Sequence, residues 1–140
     1  MSIDLPENIM NNPQVLQAER MAAYHAGVTN DLFSYRREIE RFGKTGEVGD
    51  VGVNVIFAVM RERGVSEPEA LDWTKGYITS LEGEFEEAVV KVHREFGGTE
   101  YESDLRKYME GTRLTMAGNL EWSSSCGRYR DYNCTGGLDG

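Results

Sequence analysis

Apolar residues recur at helical spacing in the first half of the chain and predict two helices. The first begins at Pro13 and runs to about residue 42, where Gly43 ends it, because proline suits the first turn of a helix and glycine the position after its end. A short apolar segment over 51–63 follows and ends at Gly64. We expect the first of these helices to be long and largely buried.

Two further helices are predicted in the second half. Ser66 with Glu69 three residues later is a capping-box pattern, and an apolar stripe continues from it to about residue 96. A last stripe covers about 101–123. Because no useful stretch alternates with strand period, the pattern predicts an all-α protein of four helices, which we expect to pack against further helices in a larger domain.

Composition narrows the class of protein without identifying it. The 140 residues carry a net charge of −9, and no apolar stretch is long enough to span a membrane. The N-terminal segment lacks the apolar run of a signal peptide, so we expect a cytoplasmic protein with Cys126 and Cys134 as reduced thiols. The acidity argues against a nucleic-acid partner, which requires clustered basic residues.

The acidity is concentrated in one part of the chain. Residues 45–112 contain 15 acidic and 7 basic side chains, whereas residues 30–44 carry a balance of +1 and residues 113–140 a balance of zero. An anionic ligand would meet the least repulsion at these two other segments. We expect the acidic residues between 82 and 87 to form a solvated face, and the isolated His25 and His93 to have no catalytic role.

One row of oxygen-bearing side chains lies on the first long helix. Asn30, Ser34 and Glu38 recur every four residues and form a row about 12 Å long. Amide, hydroxyl and carboxylate oxygens are hard ligands that suit Mg²⁺, and Arg37 adds a guanidinium that can bind phosphate. The alternative is an ordinary solvated helix face on which Glu38 and Arg41 form a surface pair.

The string from Asn30 to Glu38 resembles the second metal motif of class I terpene synthases. The resemblance implies that Asn30, Ser34 and Glu38 chelate Mg²⁺, one of three ions in the complete site, and that Arg37 contacts the substrate diphosphate. It also implies that Asp31, although usual at its position, does not bind metal.

A second similarity lies near the C-terminus. Trp122 followed by the Arg128-Tyr129 pair resembles the last helix and its end in microbial members of the same family. The resemblance implies that Arg128 and Tyr129 donate hydrogen bonds to the diphosphate and that Trp122 lines the isoprenoid pocket. Taken alone, a tryptophan on an apolar stripe is typical of a core residue. Cys126 stands where many relatives have threonine.

The same resemblance implies features that this sequence does not contain. An Asp-rich first metal motif is expected on an earlier helix, together with an arginine that senses the diphosphate, yet the chain has no Asp-Asp pair. We therefore expect residues 1–140 to form a single partial domain, the C-terminal part of the class I terpenoid synthase helical bundle, with a flexible tail over 130–140. On this interpretation the chain is a fragment or a truncated gene product.

The function that the resemblance implies is Mg²⁺-dependent lyase chemistry. A terpene cyclase of the fungal sesquiterpene synthase type ionises an allylic isoprenyl diphosphate, here expected to be farnesyl diphosphate, and cyclises it with release of diphosphate. One alternative is a non-catalytic helical interaction module or degenerate remnant. The other is a prenyl-chain-elongating synthase, which carries Asp-rich motifs on both sides of its site, whereas this chain has Asn30 and Ser34.

Overall fold

The computed structural model describes residues 5–45 and 54–125, and their side chains over 5–40 and 54–121. These residues contain the helices α1 (Glu7–Met10), α2 (Pro13–Thr45), α3 (Val55–Arg63), α4 (Glu67–Phe96) and α5 (Glu102–Ser125). The described part of the chain contains no strand, which confirms the predicted all-α class. None of its helices combines the length and the apolar character that a membrane crossing requires.

The first two helices differ from the prediction at their ends. A single turn, α1, was not predicted, because four residues are too short to show a helical period; it forms where the Pro6 carbonyl accepts from the amides of Ile9 and Met10. Helix α2 starts at Pro13 as predicted but continues through Gly43 to Thr45. Glycine inside a helix costs only about 1 kcal/mol, so it need not end one.

Helix α3 starts four residues later than the predicted residue 51, because Asn54 caps it. The Asn54 side chain accepts a hydrogen bond from the Ile56 amide at 2.8 Å, which satisfies a donor that the first turn leaves unpaired. The predicted end is confirmed: Gly64 is left-handed, with φ of 63°, a conformation that glycine adopts without steric cost.

The predicted capping box at the start of α4 is confirmed in its first half, the cap by Ser66, whereas the Glu69 carboxylate contacts the Ser66 hydroxyl and not the Ser66 backbone amide. The Glu69 amide donates to Ser66 Oγ at 3.4 Å, and Ser66 Oγ donates to a Glu69 carboxylate oxygen at 2.9 Å. Helix α4 ends at Phe96 as predicted, and α5 begins one residue later and ends two residues later than the predicted 101–123.

The described residues form two compact units, here called the first unit (5–25 and 79–118) and the second unit (26–45, 54–78 and 119–125). Each unit has apolar side chains from several helices in its core. Those buried in the first unit include Val15, Ala18, Leu81, Phe85, Val92, Leu105 and Met109. The core cluster of the second unit comprises Leu32, Phe33, Tyr35, Ile56, Val59, Ala70, Leu71 and Ile78.

The expectation that α2 is largely buried is wrong for one of its faces. Leu16 is 40% exposed, and Ala23, Ala26 and Asn30 are exposed as well. Positions spaced by seven or three to four residues lie on the same side of a helix, so these residues form one continuous face. Residue type alone did not show which side of the helix is buried.

Candidate metal centre

The three oxygen-bearing residues predicted as metal ligands lie on α2, in the second unit. Ser34 is fully buried, Glu38 is partly buried and Asn30 is exposed one turn earlier. Ser34 Oγ donates a hydrogen bond to Glu38 Oε1 at 3.0 Å. The structure therefore brings the hydroxyl and the carboxylate into direct contact, as their four-residue spacing allows.

A residue that the sequence analysis did not single out holds the other oxygen of this carboxylate. The Nδ2 atom of Asn54 donates to Glu38 Oε2 at 2.7 Å and to the backbone carbonyl of Asp31 at 3.0 Å. The signal that could have identified Asn54 is its position directly before an apolar helical segment, which is typical of an N-cap. The prediction placed the helix start at residue 51, so Asn54 was counted inside the helix.

Asp31 fastens the start of α3 to α2. Its Oδ2 atom accepts a hydrogen bond from the Val55 amide at 3.0 Å. Burial raises the pKa of the Asp31 carboxyl above its ordinary value; the Val55 amide opposes this shift and the negative charge of Glu38 adds to it. The carboxylate of Asp31 thus contacts backbone at the start of a neighbouring helix.

Tyr35 anchors α2 to the beginning of α4 within the same unit. Its hydroxyl donates to Glu67 Oε2 at 2.8 Å, and its ring lies 5.1 Å from the ring of Phe57. Burial, followed by the neighbouring carboxylate, raises the pKa of Tyr35 well above its ordinary range, so the hydroxyl keeps its proton. The segment carrying the predicted ligands is therefore held by hydrogen bonds to both α3 and α4.

The residues predicted to bind diphosphate are only partly described. Arg37 is partly buried on α2, next to Glu38. The side chain of Trp122, whose backbone belongs to α5, lies outside the described residues, as do Arg128, Tyr129, both cysteines and the predicted tail over 130–140. Their predicted roles stay predictions.

The donor set fits a hard divalent cation. A hydroxyl that donates its proton to a carboxylate still has lone pairs, and a carboxylate has about four acceptor positions, of which two are used here by Ser34 and Asn54. The exposed amide of Asn30 adds a further oxygen one turn away. Over 5–40 and 54–121, no group of three or more His, Cys, Asp or Glu side chains is arranged to hold a metal.

Two features of the first unit were expected to be structural. Fully buried His25 places Nε2 at 2.8 Å from Glu82 Oε2, which agrees with a core role for the histidine. The acidic residues between 82 and 87 are mostly exposed, but Glu86 accepts two hydrogen bonds from Arg113 at 2.6 and 2.7 Å. A cavity of about 550 Å³, lined by residues of α4 and α5 such as Phe85 and Met116, contains none of the predicted ligands.

These observations define the class of protein: it is all-α and carries a row of oxygen-bearing side chains on a long helix. Residues 1–84 match the model of terpene synthase family 2, C-terminal metal binding. The chain belongs to this family, which confirms the resemblance.

Curated relatives extend the similarity over nearly the whole chain. Delta(6)-protoilludene synthase 8 from Postia placenta is 30% identical over 92% of this chain and 35% of its own length. A cycloaraneosene synthase from Sordaria araneosa is 31% identical over 91% of this chain and 32% of its own, and the sesquiterpene synthase Agr5 from Cyclocybe aegerita is 27% identical over 92% and 28%. The chain thus spans about a third of the length of these relatives. No solved structure matches it significantly.

Proposed function

We propose that this chain is the C-terminal, metal-binding part of a terpene cyclase that acts on farnesyl diphosphate. The reaction is ionisation of the allylic diphosphate, cyclisation of the carbocation to a sesquiterpene and release of diphosphate. The observation that carries the proposal is the contact between Ser34 and Glu38, whose carboxylate also accepts a hydrogen bond from Asn54. Membership in a family described as metal binding supports the interpretation of these residues as metal ligands. The similarity to the sesquiterpene synthase Agr5 supports this substrate class.

In this proposal, Asn30, Ser34 and Glu38 hold one Mg²⁺ ion of a three-metal site. Bound Mg²⁺ supplies positive charge that stabilises the leaving diphosphate. Arg37, Arg128 and Tyr129 donate hydrogen bonds to diphosphate oxygens, because guanidinium and phenol groups are strong donors to phosphate. Trp122 lines the pocket, where an indole face can stabilise a carbocation. We place the protein in the cytoplasm.

The net charge of −9 is compatible with an anionic substrate. The field at a site is set by its nearest charges, and bound cations are often the largest of them. The segment 30–44, which contains the proposed ligands and Arg37, carries a balance of +1, so the negative charge of the chain is concentrated elsewhere. The proposed site therefore lies in the segment where electrostatic repulsion of an anion is lowest.

Thermal unfolding of the 140-residue chain, with and without Mg²⁺ and inorganic diphosphate, tests the ligand site. We expect the two ligands together to raise the midpoint, because a ligand that binds only the folded state stabilises it. Glu38→Gln should abolish the shift. Glu40→Gln makes the same change of charge two residues along the same helix, on a different face, and should preserve the shift. An unshifted wild type, or an equal shift in Glu38→Gln, would refute the proposed site.

Incubation with farnesyl diphosphate and Mg²⁺ tests the chemistry, in the chain itself and in a version extended to the length of its relatives. A volatile sesquiterpene that disappears in Glu38→Gln is the expected result for the extended protein. Adding isopentenyl diphosphate separates the alternatives, since formation of a longer prenyl diphosphate would identify a chain-elongating synthase. If neither protein binds the ligands and neither forms a product, the non-catalytic interaction module is favoured.

A further inference from the structure

Asn54 uses its side chain for two tasks that have different requirements. Its Oδ1 atom caps α3 by accepting from the Ile56 amide, while Nδ2 donates to Glu38 and to the Asp31 carbonyl. The side chain is fully buried, so these bonds are shielded from water. Each hydrogen of the amide group therefore has an acceptor on α2, and the carbonyl oxygen has a donor on α3.

Helix capping alone does not require an asparagine here. Serine, threonine and aspartate cap helices about as well, because each supplies an acceptor oxygen. Among the preferred cap residues, only asparagine adds an NH₂ group with two donors. Those two donors are the atoms directed at α2, so the residue type at position 54 is explained by its contacts with Glu38 and Asp31.

The contacts from Asn54 and Ser34 together restrain the Glu38 carboxylate at both oxygens. Ser34 Oγ donates to Oε1 at 3.0 Å and Asn54 Nδ2 donates to Oε2 at 2.7 Å. A glutamate side chain loses rotamer entropy when it is fixed in one conformation. A carboxylate already fixed in the folded protein does not incur this loss when a cation binds.

Resting on the function proposed above, we propose that Asn54 is a positioning residue that orients the Glu38 carboxylate for its cation. It acts through Glu38 and makes no bond to the metal itself. Asp31 supports the arrangement from the other side. Its carboxylate accepts from the Val55 amide and its carbonyl accepts from Asn54, so the start of α3 is tied to the motif by two hydrogen bonds that Asp31 accepts. Residues that hydrogen-bond a metal ligand commonly change metal affinity 10- to 100-fold when mutated.

The test uses Asn54→Ser, which keeps a capping oxygen and removes both donors. Mn²⁺ serves as the probe, and its dissociation constant is measured by electron paramagnetic resonance on the 140-residue chain in the presence of inorganic diphosphate. We expect affinity to fall by about 10-fold. Tyr108→Phe is the matched control, since it removes a tyrosine hydrogen bond to a carboxylate, that of Glu19, in the first unit and touches no residue of the motif. It should lower the unfolding midpoint and leave Mn²⁺ affinity unchanged.

A double variant distinguishes a positioning role of Asn54 from a general loss of rigidity in the folded protein. If Asn54 acts through Glu38, Asn54→Ser should cause little further loss of affinity in a Glu38→Asp background, because interacting residues are not additive. Glu38→Asp keeps a carboxylate for the metal but shortens the side chain away from Asn54. Equal affinity in wild type and Asn54→Ser, an equal loss in Tyr108→Phe, or additive losses would each overturn the inference. Failure of the wild-type chain to bind Mn²⁺ would instead refute the proposed function on which it rests. Should Asn54→Ser not fold, Asn54→Thr, which also caps a helix, replaces it.

Discussion

The two compact units differ in where they place their polar side chains. Among the described residues, five polar side chains are buried, and four of them, Thr29, Ser34, Asn54 and Thr74, belong to the second unit. The first unit buries His25, and its other polar contacts, such as Tyr108 with Glu19 or Arg113 with Glu86 and Glu110, join partly buried or exposed groups. The second unit therefore buries more of its polar contacts than the first.

This difference indicates that the second unit is shaped by more than stability. Burying a polar group is unfavourable unless it is hydrogen-bonded, and an apolar residue of similar size would serve a core equally well. Exposed ion pairs such as those of Arg113 contribute at most about 1 kcal/mol. The buried bonds of Ser34 and Asn54 meet at one carboxylate, Glu38, which is where the candidate metal centre lies.

The largest expected effect is on the apolar core of the first unit. Phe85 is fully buried there, and Phe85→Ala should lower the free energy of unfolding by about 3–5 kcal/mol, because it removes a large apolar side chain and leaves a cavity. Urea unfolding followed by circular dichroism measures it. Val90→Ala on the same helix, where Val90 is 53% exposed, should change stability by less than about 0.5 kcal/mol. Similar losses in both variants would contradict the assigned core.

A matched pair of tyrosine variants tests the comparison between units directly. Tyr35 in the second unit is buried and donates to Glu67, whereas Tyr108 in the first is only partly buried and donates to Glu19 at 2.9 Å. Burial and the Glu19 carboxylate raise the pKa of Tyr108 to about 12. Hydrogen bonds to charged groups contribute about 1.5–3 kcal/mol, so we expect Tyr35→Phe to cost about 2 kcal/mol and the more hydrated Tyr108→Phe about 1 kcal/mol.

Urea midpoints of the two phenylalanine variants, each compared with wild type at neutral pH, measure this difference. Both substitutions remove one hydroxyl and leave the ring, so they differ mainly in the burial of the bond they remove. A loss for Tyr108→Phe equal to or greater than that for Tyr35→Phe would break the distinction between the units.

The smallest effect is expected at the exposed pair of Glu86 and Arg113. The hydrogen bond from Arg113 holds the pKa of the Glu86 carboxyl below its ordinary value of 4.5. The pair therefore stabilises the fold fully at pH values above 4.5, and this stabilisation is lost as the pH falls through the lowered pKa. Because both side chains are more than a third exposed, Glu86→Gln should cost less than about 1 kcal/mol at neutral pH.

Unfolding of wild type and Glu86→Gln at neutral pH and at about pH 2 measures this pH dependence, and the difference between the proteins should vanish in acid. The adjacent exposed Glu87 provides the control, since Glu87→Gln makes the same change in net charge. A difference that persists unchanged at acid pH would show that the pair does not stabilise the fold through its charge.

Local signals predicted the long helices well because their causes are local. The Ser66 and Glu69 capping box, Gly64 after α3 and the apolar stripe to Phe96 each depend on residues a few positions apart. The start of α3 was wrong because the cap at Asn54 was not recognised. The prediction that α2 is largely buried was also wrong for one face, since apolar and small residues occur on both sides of this helix.

Residue type and local spacing are enough to establish the all-α class, the family and the row of Asn30, Ser34 and Glu38 along one helix. Only the tertiary structure showed that Asn54, 16 residues beyond Glu38, donates to its carboxylate. A hydrogen bond between residues so far apart forms only when two helices pack with their side-chain atoms within about 3 Å, and helical periodicity contains no information about that distance.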